Sequence, residues 1–498
     1  AIWLARLGVR VRIVDKLAAP ETTSRAIGVQ ARTLEFYRQL GLAEKIIAHG
    51  HEAAAMNLWV SGRHRARFPF DQMGAEISPF PFALVISQDE HEKILTEHLA
   101  DLGVEVERSM ELLDFEQMNG RVLTRLKNSD GQVKVCNSSF IAGCDGVHST
   151  VREQLKIGFT GGTYARKFYV ADVHAAGAAI NGEINVALDA ADFLVIFPLG
   201  AGGRARLIGA LNDRAENTGS TPAWRDVNQS VIKGLRLKIE RVNWFSTYRV
   251  HHRVADCYWH GRAFLLGDAA HIHSPVGGQG LNTGVGDAVN LAWKLAAVLR
   301  GRATDALLET YQPERTAFAR RLVSTTDRVF AGVTSPRFFD RMMRLNFVPF
   351  FLPKFFRIGA VRKSMFRTIS QAVVHYRGSR LSTGHAGAVR GGDRLPWVKT
   401  DANGCADNFA PLISLDWQVH IYGIAAPKIQ AICDEGKLPL HIFPWQLAMG
   451  RAGLRRNAVY LLRPDGYIAL ANSAGSAAAL ANYLAEHHFA SATQAKAF

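Results

Sequence analysis

The sequence predicts an α/β protein: a layer of strands and helices, a mainly-β insert, and a smaller α/β tail. Three observations carry this reading. Residues 263–266 form a short apolar run that ends at Gly267-Asp268, and a glycine-rich turn there leads into a helix-periodic stretch. Residues 9–14 read as a strand closed by Asp15. From 168 to 258 the pattern is chiefly short strands instead.

Taken in order, residues 1–15 give the end of a helix, a turn at Gly8 and the strand 9–14. An acidic residue closing such a strand takes ribose hydroxyls in dinucleotide-binding units, about 20 residues after a GxGxxG loop. The loop is expected just upstream of Ala1, so the chain reads as truncated there, without its first strand. Ser24-Arg25-Ala26-Ile27-Gly28 leads into a helix ending near Gly41, in which Arg32 is expected to make a structural ion pair. Residues 56–86 read as strands of a substrate-facing sheet, and Gln88 opens a helix over 88–99. The strand 140–143 runs into Cys144-Asp145-Gly146, with Ser149 as a helix cap.

Within 168–258 strands are expected at 169–173, 193–197, 206–209 and 244–251, with one amphipathic helix over 224–237. Arg249, His251, His252 and Arg253 alternate across the last strand, so at least one pair leaves the pocket side. After Pro275, Gly278 and Gly280 permit close backbone approach to a ligand. From Asn282, Val285, Val289, Ala292, Leu295, Ala296 and Leu299 recur at helical steps until Gly301. A helix opening out of a glycine loop aims free N–H groups and a positive dipole end at what sits there. Residues 303–380 look helical, and 391–396 (GGDRLP) marks a boundary. The tail gives a strand at 417–422, a hairpin turning at Pro464-Asp465-Gly466, and a closing helix over 476–487.

Composition sets limits. The chain has 498 residues, 48% hydrophobic and 21% charged, which suits a globular protein of about three domains. No window is apolar enough to cross a membrane. Cys136, Cys144, Cys257, Cys405 and Cys433 show no CxxC spacing, which argues against disulfides or structural zinc and for a reducing, cytoplasmic setting. The formal charge is +15, with ten Lys/Arg against the single Asp340 between Arg337 and Arg380. Without aromatic platforms or a known nucleic-acid fold, that excess reads as a solvated face or an attractor of anionic cofactors and substrates, not as a nucleic-acid site.

Joint occurrence of Asp15, Arg25, Gln88, Asp145-Gly146 and the long 267–294 motif resembles the FAD-dependent aromatic hydroxylases of the p-hydroxybenzoate hydroxylase superfamily. The tail resembles the thioredoxin-like domain of the phenol hydroxylase branch; lacking a cysteine pair, it is expected to be structural or oligomerising, as in a homodimer. The resemblance implies a Rossmann-like FAD-binding domain at 1–165 and 255–345, a substrate domain at 166–254, a helical linker at 346–385 and the thioredoxin-like domain at 386–498. It places Asp268, after Gly267, on the ribityl chain, and Gly278, Gly280, Leu281 and Asn282 against the flavin's pyrimidine edge. It assigns Asp15 to the adenosine ribose, Arg25 to the flavin phosphate and ring edge, Gln88 to the phosphates or ribityl, and Asp145 to the pyrophosphate. Pro275 would shape the oxygen-transfer site through its backbone. His273 is the best-placed base, against a structural role for the same residue. Ile27 occupies the slot where some phenol-type members carry an ionisable group.

The implied activity is hydroxylation of a small phenolic or other aromatic compound, using dioxygen and NADPH or NADH through a 4a-hydroperoxyflavin. The nicotinamide would bind transiently, since no second glycine-rich fold is visible. A flavin halogenase or reductase remains as an alternative, although no Trp-x-Trp-x-Ile-Pro segment is present. A cofactor-poor binding protein is the alternative from another class.

Overall fold

The structure is a computed structural model that describes residues 1–20, 27–189, 192–211, 222–274, 278–334, 342–400 and 406–487. Two parallel strand pairs form the nucleotide-binding layer. Ile13–Val14 pairs with Val106–Glu107, and Ile141–Gly143 pairs with Ala263–Leu265, the latter flanked by Trp259–His260. Among the described residues no strand joins the two pairs. The all-buried run Ala263–Leu265 packs under the helix Gly280–Leu299, where Leu291 and Leu295 meet Phe264, Leu265 and Tyr311. We call Gly280–Leu299 the cradle helix.

The mainly-β unit is an eight-stranded sheet. Its order is His271–Ile272, Lys238–Ala255, Phe159–Ala176, Arg204–Ala210, Phe193–Pro198, Ile184–Leu188, Ala55–Val60 and Arg63–Pro69. It is wider than the 168–258 pattern indicates, because Ala55–Val60 pairs in parallel with Ile184–Leu188 across a long sequence gap. The 244–251 strand is part of an 18-residue strand whose bulges let it follow Phe159–Ala176. The 224–237 helix resolves into a single turn, Trp224–Asp226, and Gln229–Gly234, which Asn228 caps by accepting from the Ser230 N–H. Side chains alternate between faces as period two requires. Tyr169, Leu194 and Leu207 pack outward under Val231 and Ile232, whereas Phe168, Phe193 and Val250 face the nucleotide-binding layer.

The tail sheet has the order Val389–Arg390, Thr383–Ala386, Ile468–Asn472, Val459–Leu462, Gln418–Tyr422, Leu440–Phe443. It begins at Thr383, and Pro464-Asp465-Gly466 turns its central hairpin. That turn reaches into the first layer. Glu314, on the helix Tyr311–Thr334, accepts from Arg463 Nη1 at 2.8 Å, Lys294 Nζ at 2.8 Å, Asn290 Nδ2 at 2.7 Å and Ser379 Oγ at 2.6 Å. Asp465 accepts from Arg463 Nη2 at 2.6 Å and Trp293 Nε1 at 3.1 Å. Beside this hub, Arg32 pairs with Glu35 at 2.8 Å and donates to the Asp465 carbonyl, while Arg394 also binds Glu35. Arg32 thus makes the structural ion pair expected of it.

Candidate active site

Parallel strands put their carboxyl ends on one edge, where open α/β sheets take ligands. Asp145 follows Ile141–Gly143 and Asp268 follows Ala263–Leu265, so both acids lie on that rim, and both are exposed. Asp145 Oδ2 accepts the Val151 N–H at 3.1 Å, and Ser149 Oγ caps the same short helix at Arg152 N. Arg152, which belongs to the Ser-x-x-Arg helix start that follows the Asp145-Gly146 turn in the sequence, ties the two corners together. Its Nη1 donates to the Ala269 carbonyl and its Nη2 to that of Val147.

The Asp268 corner is held from beneath. Gly267 adopts φ 56°, a conformation costly for other residues, and its N–H donates to Asp287 Oδ2 at 3.0 Å. Asp287 also accepts from His271 Nε2 at 2.7 Å and Arg315 Nε at 2.6 Å. Burial alone would raise this carboxyl, but Arg315 and His271 hold it below its ordinary range. Arg315 continues to the Thr283 carbonyl and the Tyr376 hydroxyl. A Cβ on Gly284 would come within 3.3 Å of the Gly267 Cα, so the cradle helix packs directly on the corner. Neither Gly284 nor Asp287 stood out in the sequence, though both lie inside the 267–294 motif.

After the corner, His271–Ile272 pairs with the edge of the eight-stranded sheet and delivers His273 and Ser274. His273 Nδ1 lies 2.8 Å from the Ser274 carbonyl, whereas its shielded Nε2 finds no hydrogen-bond partner among the described residues. Burial lowers the imidazole to about 4, so it is neutral at pH 7. The Ser274 Oγ is likewise buried and without a partner among the described residues. Pro275 and Arg25 lie outside the described residues. The chain re-emerges at Gly278 (φ 61°) and enters the cradle helix at Gly280, where a Cβ would stand 3.9 Å from His273 Nε2. Leu281 is half-buried. Asn282 uses its whole side chain inside the protein: Oδ1 accepts from Gln30 N and Thr33 Oγ1, and Nδ2 donates to the carbonyls of Gly28 and Gly278. It fixes the glycine turn against the strand Gly28–Val29.

Gln88 is the half-buried first residue of the helix Gln88–Asp101, directly after Ala83–Val85. Asp15 stands one residue past Ile13–Val14 and binds Arg108 Nη1 at 2.8 Å; Arg108 Nη2 reaches Glu92 on the Gln88 helix at 3.0 Å. The inner sheet face carries Tyr248, Phe168 and Phe193 in one aromatic row, in the same cluster as Val289 and Ala292 of the cradle helix. His252 shares this face with Tyr248 and Val250, its ring 4.8 Å from Tyr164, while His251 turns to the other side and meets Thr163.

The site fits a flavin dinucleotide. Two buried polar atoms have no partner among the described residues, two glycines stand at the start of the cradle helix, and two acids lie exposed on the strand rim. Residues 1–326 match the family described as FAD binding domain. The chain belongs to that family, and its first layer with the inserted sheet is a mixed α/β FAD-binding fold. The chain is similar to 6-methylpretetramide 4-monooxygenase of Streptomyces rimosus, 36% identical over 327 residues, covering 65% of this chain and 58% of that protein. It thus spans less than two thirds of that relative's length. A flavin-dependent monooxygenase of Mycobacteroides abscessus is 29% identical over 495 residues, covering 95% and 94%. Among solved structures, the OxyS anhydrotetracycline hydroxylase from Streptomyces rimosus superposes with a TM-score of 0.79 at 25% identity, covering 99% of this chain and 96% of that one.

Proposed function

We propose that the protein is an FAD-dependent monooxygenase that hydroxylates a phenolic or other aromatic compound, consuming dioxygen and NADPH or NADH. The observation that carries this is the Gly267-Asp268 corner at the carboxyl end of a buried parallel strand, with the cradle helix packed on it and on the aromatic inner face of the sheet. Relatives named for oxygenating 6-methylpretetramide and pentachlorophenol support an aromatic substrate. Bound FAD would supply hydride acceptance from the nicotinamide and activation of dioxygen.

The chain's own residues orient and shield. Asp268 would take the ribityl hydroxyls, Asp15 the adenosine ribose, and Gln88 and Asp145 the phosphate region. Gly278, Gly280 and Leu281 present backbone to the ring edge, where the helix terminus stabilises negative charge. Asn282 serves this by locking the turn. Arg25 and Pro275 keep the roles that resemblance implies. Burial keeps His273 neutral, and we assign it a neutral hydrogen bond at the cradle. The tail's strand–helix–strand unit followed by a hairpin and helix supports the thioredoxin-like reading. The described cysteines are all unpaired, which suits a cytoplasmic setting.

The test is turnover of purified, flavin-loaded protein. NAD(P)H oxidation should be slow alone, accelerate with a suitable phenol, and yield hydroxylated product. If a broad phenol panel gives only hydrogen peroxide, the reductase or oxidase reading replaces this one.

A further inference from the structure

Phe347, Phe350, Phe351, Phe355 and Ile358 are 43, 58, 40, 53 and 51% exposed. Single exposed apolar side chains are ordinary, but a contiguous group marks an interaction surface. These five recur at three- and four-residue steps along the consecutive helical segments Met343–Phe347 and Val348–Phe355 and just beyond them, so they form one stripe. The other side of the same helix does the packing: Leu352 and Phe356 reach the core, the Phe356 ring 4.2 Å from Phe68. The outward rings cover one another instead, Phe347 stacking on Phe351 at 5.4 Å and Phe350 meeting it edge-on at 5.1 Å.

The stretch of chain that carries the stripe is basic. From Arg341 to Arg390 the chain has ten Lys/Arg and no Asp or Glu. Lys354 Nζ sits 3.8 Å over the Phe350 ring, and Lys354 and Arg357, within the same segment, are exposed. Nearby Lys363 is occupied by Glu76. Aromatic side chains on one helix face with cations along the edge are the pattern of a helix lying flat in a bilayer interface. We propose that this face docks the protein on the surface of an anionic lipid bilayer, peripherally, since no described helix is long and apolar enough to cross one. A second copy is a poor occupant: a two-fold contact would set the same acid-free stretch against itself on a chain of formal charge +15. Single-stranded nucleic acid wants ring faces open to bases within a basic groove, and here the rings are stacked on each other on a helix's outer side.

Flotation of the flavin-loaded full chain with vesicles tests this. The protein should float with vesicles of phosphatidylcholine mixed with phosphatidylglycerol, far less with phosphatidylcholine alone, and progressively less as salt rises. Replacing Phe350 and Phe351 together by Ser should cut partitioning at least about tenfold, and Lys354→Glu or Arg357→Glu roughly fivefold each. All these positions are exposed, so flavin content and melting temperature should match the parent, which separates lost docking from misfolding. The proposal is overturned if the parent does not float, floats equally with neutral vesicles, or if the Phe pair variant floats like the parent. It is equally overturned if the Phe pair variant abolishes a dimer seen without lipid, or if an oligonucleotide is bound in preference to the vesicles.

Discussion

The cradle helix has its own buried polar residues bonded at both ends, and the contrast lies with the segment that precedes it. Around its second half, Asn290, Trp293 and Lys294 join Glu314, Arg463 and Asp465 in a hub where each carboxylate receives several donors. In the preceding segment, His273 Nε2 and Ser274 Oγ are just as shielded yet bind nothing among the described residues. An unpaired buried polar atom costs stability, about 1–3 kcal/mol. Among the described residues the hub is completed by the chain's own groups, whereas His273 and Ser274 are the groups we assign to the ligand-facing side. Asp287 sits between them: it belongs to the satisfied set, yet one of its partners is the Gly267 N–H that shapes the ligand rim.

The most severe way to break the comparison is at the hub. Glu314→Gln would leave Lys294 and Arg463 buried beside a neutral group, and breaking a buried pair this way costs about 3–5 kcal/mol. Denaturant unfolding should show that loss, while the fraction that stays folded keeps its flavin-to-protein ratio. A change under about 1 kcal/mol would mean that the hub behaves like an exposed pair.

Acid separates the two sets next. Burial lowers His273 from its ordinary 6.5 to about 4, so between those values the unfolded chain takes a proton that the folded one refuses. Stability should therefore be complete above 6.5 and fall as pH drops toward 4, by roughly 2–3 kcal/mol per such histidine at about 1.4 per pH unit. His91, also lowered to about 4 by burial, contributes in the same window. Glu314 and Asp287 have the opposite sign of cause: their cationic partners overcome burial and hold both below their ordinary 4.5 and 3.8, so their contribution persists to lower pH. His420, lowered still further by burial, adds to that slope, so in flavin-free protein His273→Gln should remove only its own share of it and leave the lower window unchanged. An unchanged upper slope would show that His273 is not buried neutral.

How much of this was legible follows from range. The glycine turn, the Gly267-Asp268 corner and the Pro464-Asp465-Gly466 hairpin are local patterns, and each is where it was expected. The hub was not readable, because Arg463 and Glu314 are 149 residues apart and nothing in either neighbourhood names the other. Asn282 shows the same limit inside the recognised motif. It was read as a flavin contact, but its partners Gly28, Gln30 and Thr33 lie about 250 residues upstream and take its whole side chain. The width of the eight-stranded sheet was hidden likewise by the parallel pairing of Ala55–Val60 with Ile184–Leu188. The Arg249–Arg253 alternation, by contrast, needed only period two, and His251 and His252 do point to opposite faces.

At the rim, Asp268→Ala should lower FAD affinity roughly ten- to hundredfold, the equivalent of about 1–3 kcal/mol for a lost polar contact. The unfolding free energy of the flavin-free protein should shift by less than about 0.5 kcal/mol, because an exposed side chain is removed. Titration of apoprotein with FAD reads the first, denaturant the second. A large stability loss with intact affinity would place Asp268 with the structural set instead.

The smallest effect is the most diagnostic, because its sign reverses between two states of one protein. Ser274 is 1% exposed and its hydroxyl has no described partner, so in flavin-free protein that group is a net liability. Ser274→Ala removes a buried donor and acceptor while deleting one atom from a packed site. The expectation is a gain of up to about 1 kcal/mol in the stability of flavin-free protein, at the low end of what an unsatisfied group costs. If the hydroxyl completes the cradle, the same variant binds FAD or aromatic substrate up to about tenfold more weakly, so the stability it gains and the affinity it loses move together. Melting curves with and without FAD measure both in one experiment: the variant should melt above the parent without flavin and lose part or all of that lead with it. A variant that melts lower in both states would show that Ser274 is already bonded within the protein, and would remove it from the ligand-facing end of the comparison.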